Sequence, residues 1–198
     1  MMDYIAVVLI SYIVGSIPSG LVLGKGIWHV DLRRYGSGII GATNAWRTLG
    51  KGPGLLIFAA DLLKGVIGVG AGSLLIGTPM GMVIGGILAI VGHSASIFLK
   101  FSGGKGVATG LGVLLMMMPS VSVIVFAVWL IIVLISKYVS LGSIVAAALV
   151  PIAAFFMDEP AEFIVFGLLA AVFVIYRHKS NISRLMSGTE SKIKAGHR

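Results

Sequence analysis

The residues best equipped for chemistry fall in three polar clusters separated by apolar stretches. Gly103-Gly104-Lys105-Gly106 follows the run from Gly92 to Ser102 and leads on to Thr109. Three glycines let a backbone bend until several N–H groups converge, and a lysine adds positive charge. Nests of this kind, often beside a helix N-terminus, bind phosphate and other anions. A Gly-Lys turn that flanks a membrane helix and sets its lysine among lipid headgroups has the same composition, so the turn alone leaves both readings open.

The second cluster is the stretch from Tyr35 to Gly52, too long and too glycine-rich for a mere connector. Ser37, Gly38, Gly41, Thr43 and Asn44 offer small hydroxyl and amide donors that do not crowd an anion. Arg47 can grip a phosphate with two parallel hydrogen bonds. A flexible amphipathic loop resting Arg33, Arg34 and Arg47 on headgroups is the alternative. In the third cluster, His178 and Asn181 stand three residues apart and share a helical face, with Arg177 and Arg184 close by. His, Asn and Arg within one turn favour a site over a solvated basic tail. Glu190, beyond Gly188, is placed to anchor the tail by pairing with a basic residue.

Other groups are more ambiguous. Asp61 and Lys64 lie on one face of an apolar segment, as either a site or a structural pair, since ions inside a membrane are expensive. His93 suits a base, an anion donor or a packed interfacial side chain. Ser140 and Ser143 open another apolar segment, where they can cap a helix or donate to an anion at its N-terminus, with capping expected of at least one.

The elements that must position these groups are membrane helices. The chain of 198 residues, a single domain by default, is 58% hydrophobic, with a mean hydropathy of +1.06. Apolar segments run at 3–23, 53–77, 79–99, 106–118, 119–136, 139–156 and 161–176. The fourth and fifth form one run of 31 residues, on the order of 46 Å as a single helix and longer than a bilayer core of roughly 30 Å. Pro119 supplies the break. Met1 to Tyr4 carry no basic region, so the first segment is expected to stay as a transmembrane helix.

Charge sets the count. With seven crossings and the amino end outside, fourteen of the fifteen Lys and Arg residues fall on the inner side, Lys64 being the exception. The opposite side holds Asp3 and the acidic turn Asp158 to Glu162. Six crossings would place Lys137 and the basic tail outside. The positive-inside rule therefore predicts an all-α polytopic protein with seven transmembrane helices, amino end out and carboxyl end in. The net charge of +8 is a topology signal with anionic-lipid attraction added, and does not argue for nucleic acid.

Several chemistries are excluded. Cysteine is absent, so there is no thiolate ligand or nucleophile. No histidine–carboxylate spacing fits a metal, and no serine sits in a Gly-x-Ser-x-Gly elbow. Leu99 and Gly106 break a Walker A loop. The His-x4-Asp dyad of thioester-dependent acyltransferases is absent, because Phe98 occupies the aspartate position after His93.

Taken together, the clusters resemble those of the acyl-phosphate:glycerol-3-phosphate acyltransferase family. Gly36-Ser37-Gly38, Gly41-Ala42-Thr43-Asn44 and Arg47-Thr48-Leu49-Gly50 are similar to its first motif. Gly92-His93, Phe98-Leu99 and Gly103 to Thr109 resemble the second. Arg177-His178, Asn181-Ile182, Arg184-Leu185, Gly188 and Glu190 resemble the third region, and Val139-Ser140-Leu141 with Ser143-Ile144 is also similar. The resemblance covers nearly the whole chain in order. It implies acyl transfer from an acyl phosphate to the 1-hydroxyl of sn-glycerol 3-phosphate in a bacterial cytoplasmic (inner) membrane, with the active site on the cytoplasmic face. It implies no cofactor, no metal, and neither CoA nor acyl carrier protein as direct donor. His178, Asn181, Ser37 and Arg47 are then the expected catalytic residues. Gly38, Gly41, Thr43, Asn44, His93, Gly103, Gly104, Lys105, Gly106 and Ser143 are the expected substrate-binding residues.

An anion or organic-phosphate transporter would also use basic, glycine-rich elements, but it needs a polar route to the outer face. The outer turns are short and acidic and carry no lysine or arginine. A lipid-binding scaffold would leave the three clusters without a purpose.

Overall fold

The computed structural model describes residues 1–193, all of them in helices, turns and loops without a β-strand. Lys194 and Arg198, counted above among the inner-side cations, lie outside the described residues. The chain divides into two compact units, which meet in sequence between Val113 and Leu114.

In the first unit, α1 (Met2–Ser16) and α2 (Ser19–Trp28) form a pair bent by 42° at Ile17-Pro18, where the sequence reading had one segment. Pro18 removes a backbone donor and disfavours helix at the residue before it, which accounts for the bend. A 3-10 turn, Leu32–Arg34, precedes α3 (Ala42–Leu49). Then come α4 (Lys51–Leu75), α5 (Pro79–Ser94), a second 3-10 turn at Ile97–Leu99, and the start of α6 (Val107–Met117). Thr78 caps α5 by accepting the Gly81 N–H at 3.2 Å, with Pro79 in the first turn.

Glycine governs how α4 meets its neighbours. A methyl group at Gly68 would come within 2.7 Å of both the Ala89 side chain and the Gly85 carbonyl oxygen on α5. One at Gly65 would overlap the Thr109 carbonyl oxygen on α6. Close backbone approach through small residues replaces hydrophobic burial as the means of joining helices in an apolar setting. Beneath the first polar loop, Leu32, Ala45 and Ile57 form a small buried core, with Leu23, Val30, Ala42 and Leu49 packed around it.

The second unit contains the end of α6, then α7 (Pro119–Ser136), α8 (Val139–Phe156), α9 (Ala161–Arg177) and α10 (Lys179–Met186). The 31-residue apolar run is broken as expected. Met118 is fully buried and leaves the helical conformation, and Pro119 starts α7. Helices α9 and α10 bend by 59° at His178. After Gly188 the tail turns back, and the Ile193 N–H donates to the Lys137 carbonyl at 2.7 Å.

Among the described residues, α4, α7 and α8 are each long and apolar enough to cross a membrane, and the two bent pairs raise the count to as many as five. Helices α5 and α6 are apolar but shorter.

Candidate active site

Loop one, the polar stretch 35–41 ahead of α3, is shaped by Asn44. Its buried side-chain N–H groups donate to the carbonyls of Leu32 (3.0 Å), Tyr35 (3.0 Å) and Ile39 (2.9 Å). Its Oδ1 accepts the Ser37 N–H at 3.1 Å. Gly36 has φ +57°, and a methyl there would overlap Asn44 Oδ1, so only glycine fits. Gly38 has φ +71° and Gly41 precedes the first residue of α3. Ser37 is exposed on this loop, while Thr43 and Arg47 are half-buried on α3. Asn44, expected to bind substrate, is engaged at both ends of its amide with loop backbone; its work in the structure is to hold the loop's shape. At the loop's base, Asp31 pairs with Arg33 (2.7 Å) and Lys25 (3.1 Å). The Arg33 guanidinium holds the Asp31 carboxyl well below the usual carboxylate range.

The glycine turn is built against His93. The Gly104 N–H donates to the His93 carbonyl at 3.1 Å. A methyl group at Gly103 would overlap that same carbonyl oxygen, and one at Gly104 would overlap the imidazole Nε2. Gly104 and Gly106 are buried, Gly103 and Lys105 half-buried, and α6 begins at Val107 directly after them. The turn therefore precedes a helix N-terminus, the setting in which converging N–H groups favour an anion.

Behind the turn, Asp61, Lys64 and His93 are buried together. Lys64 Nζ lies 2.6 Å from Asp61 Oδ1, and His93 Nδ1 lies 3.6 Å from the same oxygen, within ion-pair reach but beyond a good hydrogen bond. Asp61 and Lys64 do share a helical face. Their link to His93, from a different helix, had no signal in the sequence.

In the second unit, Glu190 gathers the third cluster. Its carboxylate accepts from Asn181 Nδ2 (2.7 Å), Ser140 Oγ (2.8 Å) and Arg184 Nε (2.7 Å). The expected pairing of Glu190 with a basic residue is thus found. Burial disfavours its charge, but the bonds from Asn181, Ser140 and Arg184 outweigh burial and lower its pKa. Neither Ser140 nor Ser143 caps α8, contrary to expectation. Ser140 turns to Glu190, and Ser143 donates to the Val139 carbonyl (2.9 Å) while accepting from Trp129 Nε1 (3.3 Å). His178, buried at the α9–α10 bend, has Nδ1 2.8 Å from the Val174 carbonyl. A carbonyl only accepts, so Nδ1 carries the proton and Nε2 is the acceptor nitrogen of the neutral ring.

Among the described residues, no three His, Asp or Glu side chains gather as a metal ion would require.

The chain is similar to known proteins along nearly its whole length. The family model for glycerol-3-phosphate acyltransferase matches residues 5–188. A glycerol-3-phosphate acyltransferase of Carboxydothermus hydrogenoformans is 47% identical over 185 residues, covering 93% of this chain and 94% of that one. Another from Fusobacterium nucleatum subsp. nucleatum is 45% identical over 193 residues, covering 98% and 100%. The crystal structure of PlsY (YgiH), an integral membrane glycerol 3-phosphate acyltransferase, in its glycerol 3-phosphate form superposes with a TM-score of 0.89 at 39% identity, over 96% of each chain. Its lysophosphatidic acid form gives 0.87 at the same identity, over 96% and 94%. Alike in sequence from end to end and in backbone fold, the chain belongs to the glycerol-3-phosphate acyltransferase family.

Proposed function

We propose that this protein transfers an acyl group from an acyl phosphate to the 1-hydroxyl of sn-glycerol 3-phosphate, forming lysophosphatidic acid and inorganic phosphate. One observation carries the reading. The similar PlsY structure was obtained both with glycerol 3-phosphate and with lysophosphatidic acid, an acceptor and a product that differ by one acyl group. The glycine turn seated on His93 supports it, since backbone N–H groups ahead of α6 and the Lys105 cation suit a phosphate.

The acceptor's 1-oxygen attacks the acyl carbon directly. The carbon–oxygen bond to phosphate breaks, and phosphate departs with that electron pair. The hydroxyl proton passes to a base and finally to the released phosphate or to solvent. An acyl phosphate is already activated, so no acyl-enzyme is needed. His178 is the first protein candidate for the base, its Nδ1 proton held by the Val174 carbonyl and Nε2 the nitrogen that can accept. The substrate's own phosphate is the rival. Ser37 and Arg47 serve the developing oxyanion and the departing phosphate, usually the largest contribution in such transfers, and Asn181, its amide held by Glu190, completes the catalytic set. Gly38, Gly41, Thr43, Asn44, His93, Gly103 to Gly106 and Ser143 complete the binding set, Asn44 by shaping loop one.

The topology that goes with this reading has seven crossings in a bacterial cytoplasmic membrane, amino end outside and carboxyl end and active site inside. Three long apolar helices and two bent pairs support up to five of these crossings, and the shorter apolar helices α5 and α6 are proposed as the other two. The Lys and Arg distribution supplies the orientation.

Proteoliposomes given acyl phosphate and labelled glycerol 3-phosphate test the reaction. Labelled lysophosphatidic acid is the expected product. Label that enters the lumen without lipid product would mean a transporter, and neither outcome would leave only a scaffold. Acyl-CoA and acyl carrier protein thioesters, offered alone, are expected to yield no product.

A further inference from the structure

We infer that Asp61 and Lys64 are positioning residues for glycerol 3-phosphate, acting through His93 on the glycine turn. The inference rests on the acyl-transfer reading above. Neither side chain belongs to the set assigned to substrate, yet both are buried inside an apolar helix, Asp61 at 3% and Lys64 at 4% exposure.

A buried ion pair is a poor way to stabilise a membrane helix. The desolvation of both charges offsets much of their attraction, and apolar side chains of similar size often serve as well. Helix α4 already joins α5 and α6 through glycine contacts that need no charge. What the pair adds is a side-chain contact between α4 and α5, beside a backbone link from α4 to α6. Asp61 Oδ1 faces Lys64 Nζ on its own helix and His93 Nδ1 on α5. The Asp61 backbone carbonyl accepts the Thr109 hydroxyl at 2.9 Å, in the first turn of α6.

These contacts bracket the turn. Its start is held by the Gly104 N–H on the His93 carbonyl, and Gly103 and Gly104 lie flush against that carbonyl and the imidazole. Its end enters α6, where Thr109 is tied to Asp61. No side chain intervenes between the His93 ring and the Gly104 backbone, so a displacement of the ring shifts the backbone of the turn. Lys64 meets the same Asp61 carboxylate oxygen from its own helix, at 2.6 Å. Asp61 thus sets its carboxylate 3.6 Å from the ring nitrogen and holds the far end of the turn through its backbone.

The test compares steady-state constants for both substrates in proteoliposomes. Asp61→Asn combined with Lys64→Met removes both charges at nearly constant volume. A purely structural pair replaced in this way leaves both KM values where they were. A positioning pair raises KM for glycerol 3-phosphate roughly tenfold or more, because small misplacements of binding groups are costly. KM for acyl phosphate and the unfolding temperature are then expected to stay near wild type. Asp61→Glu, which keeps the charge but shifts the carboxylate by one methylene, is the second variant and is expected to show the same selective rise. His93→Gln should match the size of the effect, and adding it to the double variant should bring no further increase. Wild-type KM values in Asp61→Glu or in the double variant, or an equal rise for both substrates, overturn the inference. Wild-type protein that makes no lysophosphatidic acid overturns the acyl-transfer reading itself.

Discussion

Glu190 Oε1 accepts hydrogen bonds from two groups that are distant in sequence, the Asn181 amide at 2.7 Å and the Ser140 hydroxyl at 2.8 Å. Asn181, assigned to the chemistry, therefore has its amide orientation set by a carboxylate from the returning tail. Because the carboxylate only accepts, the Asn181 nitrogen must face it, and the amide oxygen is turned the other way.

Glu190→Gln weakens this arrangement while preserving its shape. The expected loss is about 1–3 kcal/mol in stability, from hydrogen bonds to a charged acceptor. The Glu190 pKa is lowered in the folded protein, so its contribution is complete above the unfolded value, about 4.3. It disappears as pH falls through the lower folded value. Thermal unfolding of wild type and Glu190→Gln should thus differ most above about pH 5 and converge in stronger acid. A gap that does not narrow in acid would contradict the assignment.

Asn44→Ala removes four hydrogen bonds from loop one and leaves three carbonyls and one N–H to find other partners. Each buried group left unsatisfied costs about 1–3 kcal/mol. The expected result is early proteolytic cleavage between Arg33 and Gly41, with acyl transfer reduced well before helix content changes. Circular dichroism beside limited proteolysis separates the two.

Gly104→Ala and Gly110→Ala form a matched pair on either side of the α6 start. The added methyl overlaps the His93 ring at the first position, whereas at the second its nearest neighbour is Ile90 Cδ1 at 3.9 Å. Gly110→Ala is expected to leave activity intact and to add about 0.5–1 kcal/mol of stability from helix propensity. Gly104→Ala should raise KM for glycerol 3-phosphate, as should Lys105→Ala, with far smaller effects on unfolding temperature.

His178→Ala tests the base. Loss of a positioned base lowers turnover by about 10²–10⁴-fold, here with little change in either KM. The shape of the pH–rate profile should change as well. Full turnover with a normal pH profile in purified His178→Ala would transfer the role to the substrate's phosphate.

Much of this architecture is legible in the sequence. Apolar length and the prolines mark α4, α5, α7, α8 and α9, and Pro119 breaks the long run where steric and hydrogen-bonding rules say it must. The glycine turn is visible as three glycines and a lysine between apolar segments, although its composition alone does not separate an anion site from a headgroup contact. What the sequence hides is pairing at a distance. Asp61 and His93 are 32 positions apart, and Ser140 and Glu190 are 50 apart. Side-chain periodicity reports which face of a helix a residue occupies, but not which helix that face meets. Asn44 illustrates a second limit: an amide suits a substrate phosphate and a ring of loop carbonyls equally well, and only the loop's fold distinguishes them.

The Gly68–Gly85 contact carries a consequence for the greasy half of the reaction. Where two helix backbones touch with no side chain between them, there is no gap wide enough for a methylene chain. At Gly68–Gly85 and Gly72–Gly81 the seam between α4 and α5 is therefore closed to hydrocarbon, and the proposed reaction requires an acyl tail to enter elsewhere.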